Sequence, residues 1–408
     1  MWPEFASAAG SNNGHFGKTM RDTRIYLDFN ASAPLQPCAR IAMLEAMENV
    51  GNPSSIHGEG RRARAMIETA RAQVAGLVGV PAAQVVFTSG GTEAANMALV
   101  PDVILSNHLL HLDLLLVSAG EHACVLGGHG FGADAVRQVP LLANGLLDLP
   151  MLGAILAAHK GQRVMLALQA ANNETGVLQP VTAAAALAHA AGGIVVCDAV
   201  QAAGRIDCNA ARLGADMLIV SAHKLGGPKG AGALVFANVG THMQKALLRG
   251  GGQERGARAG TENVMAIAGF GAAAVEAQAQ MAQEALRLEQ LRDQLEGFLR
   301  DIASDVVVFG SGAPRLPNTS AFAVPGLSAE TALIGLDLAG CAVSSGSACS
   351  SGKVRRSHVL DAMGVGPGLA LGALRVSFGW SSVPGDVTAF AEAFEIMVRR
   401  SRRLKNAA

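Results

Sequence analysis

Two apolar runs that each end in polar, reactive side chains constrain this chain more than any other feature. Ile194 to Cys197 runs into Asp198. Met217 to Val220 runs into Ser221, Ala222, His223 and Lys224, and the turn Gly226-Gly227-Pro228-Lys229-Gly230 follows. Apolar runs without alternation mark strands buried on both faces of a parallel sheet. In open α/β sheets, ligands bind outside the carboxyl ends of the strands. The pattern therefore brings a carboxylate, an imidazole and an amine to one pocket. Either Asp198 or Lys224 alone would pass for an ordinary strand end; together, with Ser and His before the Lys, they do not.

A buried carboxylate and a buried lysine facing one pocket suit pyridoxal phosphate. The lysine forms the Schiff base, and the carboxylate keeps the pyridine nitrogen protonated so that the ring accepts electrons. The phosphate needs backbone N–H groups and hydroxyls at a helix N-terminus. Thr88-Ser89-Gly90-Gly91-Thr92-Glu93 offers a strand end, two glycines and a hydroxyl, and Ser221 and His223 complete the cup. SAGEHACV sets His122 just past another strand, QAANNETG sets Asn172 and Asn173 past a third, and Gln201 follows Asp198 by three residues. The glycine-rich stretch Gly127 to Gly132 lacks the G-x-G-x-x-G spacing and follows no predicted strand, so it does not bind a dinucleotide.

The bulk numbers fit a well-buried α/β enzyme. Of 408 residues half are apolar and 16% charged, and Lys plus Arg equals Asp plus Glu. No net field points to nucleic acid or an anionic membrane. The apolar stretch Leu109 to Val117 is broken by His111 and Asp113, too short and too polar to span a bilayer. No signal peptide is evident, so the cytoplasm is the expected compartment, with residues 1–23 a disordered extension. None of the six cysteines is spaced as C-x-x-C and no His cluster has ligand spacing, so no metal site is expected. Cys349 stands apart: it lies between serines and glycines, ahead of Lys353, Arg355 and Arg356. A thiol displayed there, with basic residues favouring the thiolate, reads as a nucleophile.

Strands are predicted at Arg24 to Phe29, Val85 to Thr88, Leu114 to Ser118, Val164 to Gln169, Ile194 to Asp198, Met217 to Ser221 and Gly232 to Phe236. Helices are predicted from the Asn30 to Pro37 turn to Val50, over Arg61 to Gly79, and between the later strands. This alternation argues for a doubly wound, mostly parallel sheet. After Glu276, Leu288, Leu291, Leu295, Phe298 and Ile302 repeat at three and four residues, one long amphipathic helix. It leads into strands at Val306 to Phe309, Thr319 to Val324, Cys341 to Ser345 and Ala373 to Phe378, and helices at Ala329 to Leu338 and Pro384 to Arg403. The expected division is a large domain over 34–276 and a small one from 24–33 and 277–408.

The segments YLDFNASAP, GNPSSIHGEGRRAR, FTSGGTEAAN, GEHACV, ANNETGVLQP, CDAVQAAG, SAHKLGGPKG, GGGQERGARAGTEN, SSGSACSSG and LRVSFG occur in this order. On them the chain resembles the cysteine desulfurases of the nitrogen-fixation and iron–sulfur-cluster type, fold-type I pyridoxal phosphate enzymes related to class V aminotransferases. The resemblance runs from Arg24 to about Arg400, and past Cys349 it follows the branch with a long nucleophile loop. It implies that Lys224 carries the cofactor, Asp198 faces the pyridine nitrogen, and His122 stacks on the ring and moves protons. Asn173 and Gln201 would address the ring oxygen, and Gly91, Thr92, Ser221 and His223 the phosphate. Thr261 would reach the neighbouring subunit's phosphate in a homodimer. Asn52 and Arg375 would hold the substrate carboxylate; an Arg suits that task because its planar fork matches a carboxylate. The implied reaction converts L-cysteine to L-alanine and leaves the sulfur as a persulfide on Cys349, for a sulfur-acceptor or cluster-scaffold protein. Phe29, Ser32 and Ala33 depart from the family pattern, as do Arg355 and Arg356, and neither departure is expected to touch a catalytic role. The competing readings are a selenocysteine lyase or another pyridoxal phosphate enzyme that does not need Cys349, and a catalytically silent scaffold.

Overall fold

The computed structural model describes residues 24–346 and 356–406. Seven strands form one sheet in the order Val85–Thr88, Gly232–Phe236, Met217–Ser221, Ile194–Asp198, Val164–Gln169, Leu114–Ser118, Val136–Val139. All neighbouring pairs are parallel except the two made by Gly232–Phe236, which runs against both its neighbours. Six strands therefore deliver their carboxyl ends to one edge, as the doubly wound reading requires.

The strands are apolar on both faces, and the side chains alternate between two cores. Leu116, Leu166, Val195, Cys197, Leu218 and Val220 face one layer. Leu115, Val117, Met165, Val196, Met217 and Ile219 face the other. That is the period of two expected of a strand, hidden in the sequence because neither face is polar. The edge strand Val136–Val139 was not predicted, since its centre is Arg137 and Gln138, both exposed. A separate antiparallel sheet of Asp102–Leu105, His108–His111 and His242–Met243 was not predicted either.

The long helix is Val264–Ile302, 39 residues, and it runs through position 276 unbroken. The expectation that it starts after Glu276 missed its first turns. There the helix is Ala- and Gly-rich and lacks the charged stripe that makes a helical period visible. Its N-terminal half puts Ile267, Phe270 and Ala274 into the large core, and its C-terminal half puts Leu288, Leu291, Leu295 and Leu299 into a second one. Gly271 permits the first contact, because a Cβ there would lie 2.6 Å from the Cα of Ala70. The second core is roofed by an antiparallel sheet, Val307–Val308, Thr319–Ala323, Leu374–Ser377 and Ser344–Ser345, and by the helix Pro384–Asn406. The N-terminal strand, shorter than predicted at Ile25–Tyr26, pairs in parallel with Cys341–Ala342. This pairing carries the turn after it to the mouth of the large sheet.

Candidate active site

A cavity of about 370 Å³ opens at the carboxyl edge of the sheet. Five strands of the sheet send residues into its wall. Met217–Ser221 contributes Ser221 and then, from the single turn Ala222–Lys224, His223 and Lys224. Ile194–Asp198 contributes Asp198 and Gln201, and Val164–Gln169 leads to Asn173. Leu114–Ser118 leads to His122, and Val85–Thr88 to Gly91 and Thr92 at the start of the helix Gly91–Ala98. Arg375 enters from the second sheet. Ten of the residues singled out in the sequence thus line one cavity.

Lys224 Nζ donates to the carbonyls of Asn30 at 2.6 Å and Ala31 at 2.9 Å. Asp198 Oδ1 accepts from the Val200 N–H at 2.8 Å. Burial lifts the Asp198 carboxyl to about 6, against the pull of that bond and of Lys224. It is a carboxylate whose surroundings call for a cationic or N–H partner. Burial, then Lys224 and His358, hold the His122 imidazole below its ordinary range. Burial, Lys224 and Lys229 take His223 down to about 4, so at neutral pH it is an uncharged hydrogen-bonding group.

The Arg375 side chain is only 3% exposed. One arm donates to the Asn173 carbonyl at 2.9 Å and another to Asp28 Oδ1 at 2.7 Å, while Nε is buried with no hydrogen-bond partner among the described residues. Behind it lies Arg205, which sequence reasoning passed over. Burial and the nearby Arg375 bring the Arg205 guanidinium down to about 10. It donates to Gln201 Oε1 at 2.5 Å and to the Lys224 carbonyl at 3.2 Å. Arg205 does not line this cavity, so Arg375 is the guanidinium that its wall offers to an anion.

Two described residues that were predicted for the site are not in this wall. Asn52 is exposed, and its Oδ1 accepts from the Ser54 N–H at 2.9 Å, closing its own turn ahead of the helix Gly58–Val78. Thr261 is also exposed. Its segment is held beside the Gly91–Ala98 helix by the Arg258–Glu93 ion pair at 2.9 Å. Cys349, with Lys353 and Arg355, lies outside the described residues. Gln201 is in the wall, but its amide is engaged: Nε2 donates to the Asn30 carbonyl at 2.9 Å and Oε1 accepts from Arg205. Ser32, a departure from the family pattern, touches a residue expected to bind the cofactor, for its Oγ is 3.3 Å from His223 Nδ1.

Asn30 was missed although it organises the site. Its carbonyl receives both Lys224 and Gln201, its Nδ2 donates to Thr319 Oγ1 at 2.9 Å, and its Oδ1 accepts from Asn318. The only sequence signal was an Asn inside the turn of YLDFNASAP, which is common in turns of every kind. Cys124, which the sequence did not single out, also lines the cavity.

The model of the class-V aminotransferase family matches residues 25–390. A protein of Cereibacter sphaeroides named cysteine desulfurase is 40% identical over 387 residues, 93% of this chain and 97% of that one. One of the same name from Gluconacetobacter diazotrophicus is 38% identical over 386 residues, 93% and 94% of the two chains. The solved NifS-like protein of Rickettsia africae superposes with a TM-score of 0.81 at 33% identity, covering 92% of this chain and 99% of that one. The chain belongs to the class-V aminotransferase family. It shares that family's fold-type I architecture and its dependence on pyridoxal phosphate. The cavity fits that group. Asp198 supplies an unneutralised carboxylate and Lys224 an amine. The helix at Gly91 presents its first N–H groups beside the Ser221 and His223 side chains. A Cβ on Gly91 would lie 3.0 Å from Val200 Cγ2, so a side chain would crowd this end.

Proposed function

We propose that the chain is a pyridoxal phosphate-dependent cysteine desulfurase that converts L-cysteine to L-alanine and passes the sulfur through Cys349 to an acceptor protein. The observation that carries this reading is the convergence of Lys224, Asp198, His122 and Arg375 on one cavity in a chain whose relatives bear that name. Bound pyridoxal phosphate supplies an electron sink that makes the α-proton of the amino acid labile. Lys224 would hold the cofactor covalently and, once displaced by substrate, move the α-proton. Asp198 would keep a positive charge on the pyridine nitrogen. His122 would stack on the ring and exchange a proton with the substrate. Gly91, Thr92, Ser221 and His223 would bind the phosphate, and Asn173 the ring oxygen, with Gln201 helping to set its position through Asn30 and Arg205.

In the sulfur step, the thiolate of Cys349 attacks the substrate sulfur. An S–S bond forms, the substrate Cβ–S bond breaks, and its electron pair stays with the carbon skeleton, which takes up protons and leaves as L-alanine. At neutral pH only a few per cent of a free thiol is ionised, and the basic residues Lys353 and Arg355 that follow Cys349 in the sequence would favour the thiolate. The test is turnover of L-cysteine in the presence of a reductant, with alanine and sulfide measured together. Cys349→Ala is expected to lower sulfide release by at least about tenfold while L-cysteine still perturbs the cofactor's absorption. Undiminished release would make the enzyme a lyase of the selenocysteine type.

Arg375 would receive the substrate carboxylate. Charge-assisted hydrogen bonds contribute about 1.5–3 kcal/mol, so Arg375→Lys, which loses the fork, is expected to raise KM for L-cysteine roughly 10- to 100-fold with a smaller change in kcat. Unchanged KM would place the carboxylate elsewhere.

The working unit is proposed to be a homodimer in the cytoplasm, with a large domain over 34–276 and a small one from 24–33 and 277–408. Supporting the dimer, the helix Pro37–Met47 and the loop after it expose Ile41, Leu44, Met47, Val50 and Ile56, the last two each 90% exposed. A second copy would cover such a face. Thr261 and Asn52, outside their own cavity, would then act in the shared sites. Among the described residues, no helix is long and apolar enough to cross a membrane.

A further inference from the structure

His122 begins the short helix Ala123–Leu126 as its N-cap, and its ring is turned back onto that helix. Nδ1 accepts from the Cys124 backbone N–H at 3.2 Å, and Cys124 Sγ lies 3.0 Å from the same nitrogen. An imidazole nitrogen that receives an N–H is the unprotonated one, so the ring proton sits on Nε2. The thiol is a donor in this arrangement. Burial, with Asp198 and Glu121 nearby, pushes Cys124 up to about 12, which keeps its hydrogen in place at any working pH.

We propose that Cys124 is a positioning residue for His122: its S–H and backbone N–H together hold Nδ1 as an acceptor, fix the ring in the Nε2–H tautomer and favour the neutral imidazole. This rests on the reading of His122 as the ring-stacking, proton-moving group and specifies the form in which it meets the substrate. His122 enters the cycle as an N–H donor, an acid first, leaving the base role to Lys224. The groups acting on its charge are Lys224 and His358, which oppose protonation, and the Glu121 and Asp198 carboxyls beside Cys124. Burial, with Asp198 nearby, raises the Glu121 carboxyl well above its ordinary range, so Glu121 gives up its proton less readily than a free carboxyl does. The His358 ring contacts the Glu121 carbonyl at 2.8 Å, which places that imidazole at the same wall.

The test uses the cofactor-loaded enzyme labelled with 15N-histidine, with the His122 resonances assigned by their loss in His122→Gln. In the natural protein, Nδ1 is expected to resonate as an unprotonated acceptor and Nε2 as an N–H. Cys124→Ala removes one donor. The expected results are a mixture of tautomers and an upward move of the His122 titration, and of the acid limb of kcat/KM, by about half to one pH unit, the size of one hydrogen bond. Cys124→Ser keeps a donor and is expected to restore both. The same tautomer and titration in all three proteins would overturn the proposal even if activity fell. Persulfide on Cys124, found by mass spectrometry in Cys349→Ala after L-cysteine, would also overturn it, since the thiol would then be a sulfur carrier. The resonances are read without turnover, so a failed tautomer assignment and a failed desulfurase assignment are distinguishable.

Discussion

Lys224→Ala is expected to lower alanine formation from L-cysteine by a factor on the order of 10²–10⁴, the range for loss of a positioned proton-transfer group, in a protein that still folds. The strand that leads to Lys224 is buried by Met217, Leu218, Ile219 and Val220, none of which the substitution touches. The substitution removes, among other contacts, the pair of bonds from Nζ to the Asn30 and Ala31 carbonyls. Asn30 keeps its bond from Gln201 Nε2 and its side-chain bonds to Thr319 and Asn318, so the turn stays in place. The stability cost should therefore be that of a net hydrogen bond or two, about 1–3 kcal/mol. Two measurements separate chemistry from folding. After borohydride reduction, the natural enzyme should carry the cofactor's mass on the peptide containing Lys224, and the variant should carry none. Lys224→Arg keeps the positive charge beside Asp198 but cannot be reduced onto the cofactor, and it should be as inactive as the Ala variant. Cofactor fixed to another lysine, or undiminished turnover in either variant, would remove Lys224 from its assigned place.

What the sequence disclosed and what it concealed follow from the range of the forces involved. The five sheet strands around the site were legible to the residue because both faces are buried and apolar runs are local facts. Val136–Val139 was not, since an edge strand with Arg137 and Gln138 at its centre looks like a loop. Asp198 and Lys224 could be read because each sits at the end of its run. Asn30 and Arg205 could not. Their importance lies in contacts across 171 and 19 residues of chain, Gln201 to Asn30 and Arg205 to Lys224, which no local pattern encodes. Cys124 shows a subtler failure. No local pattern tells that its neighbour two residues away folds back onto it as a helix cap. Asn52 and Thr261 were named through family resemblance alone, and within one chain neither enters the cavity.

Asp198→Asn is expected to make the cofactor-free protein more stable at pH 7.5 and the loaded enzyme slower by on the order of 10²-fold or more. The two effects share one cause. In the folded, cofactor-free chain, burial raises the Asp198 carboxyl from 3.8 to about 6. A raised acid binds its proton more tightly folded than unfolded, so this site costs nothing below pH 3.8. Its cost grows as pH rises and levels off above about 6, reaching about 3 kcal/mol for a shift of some two pH units. An Asn carries no such cost and can still accept the Val200 N–H through its side-chain oxygen. His122 and His223 run the other way, since their lowered values stabilise the fold as pH rises toward 6.5. They are common to both proteins and largely cancel in the difference. Denaturant unfolding of the two cofactor-free proteins should therefore nearly coincide near pH 4 and separate by up to about 3 kcal/mol by pH 7.5. With pyridoxal phosphate bound, the balance reverses: the carboxylate gains the partner it was buried to meet, whereas the amide cannot hold a proton on the ring nitrogen. Loss of activity without the gain in cofactor-free stability would mean that Asp198 is not held as an unpaired buried carboxylate. Equal activity would mean that the charge facing the ring comes from another group.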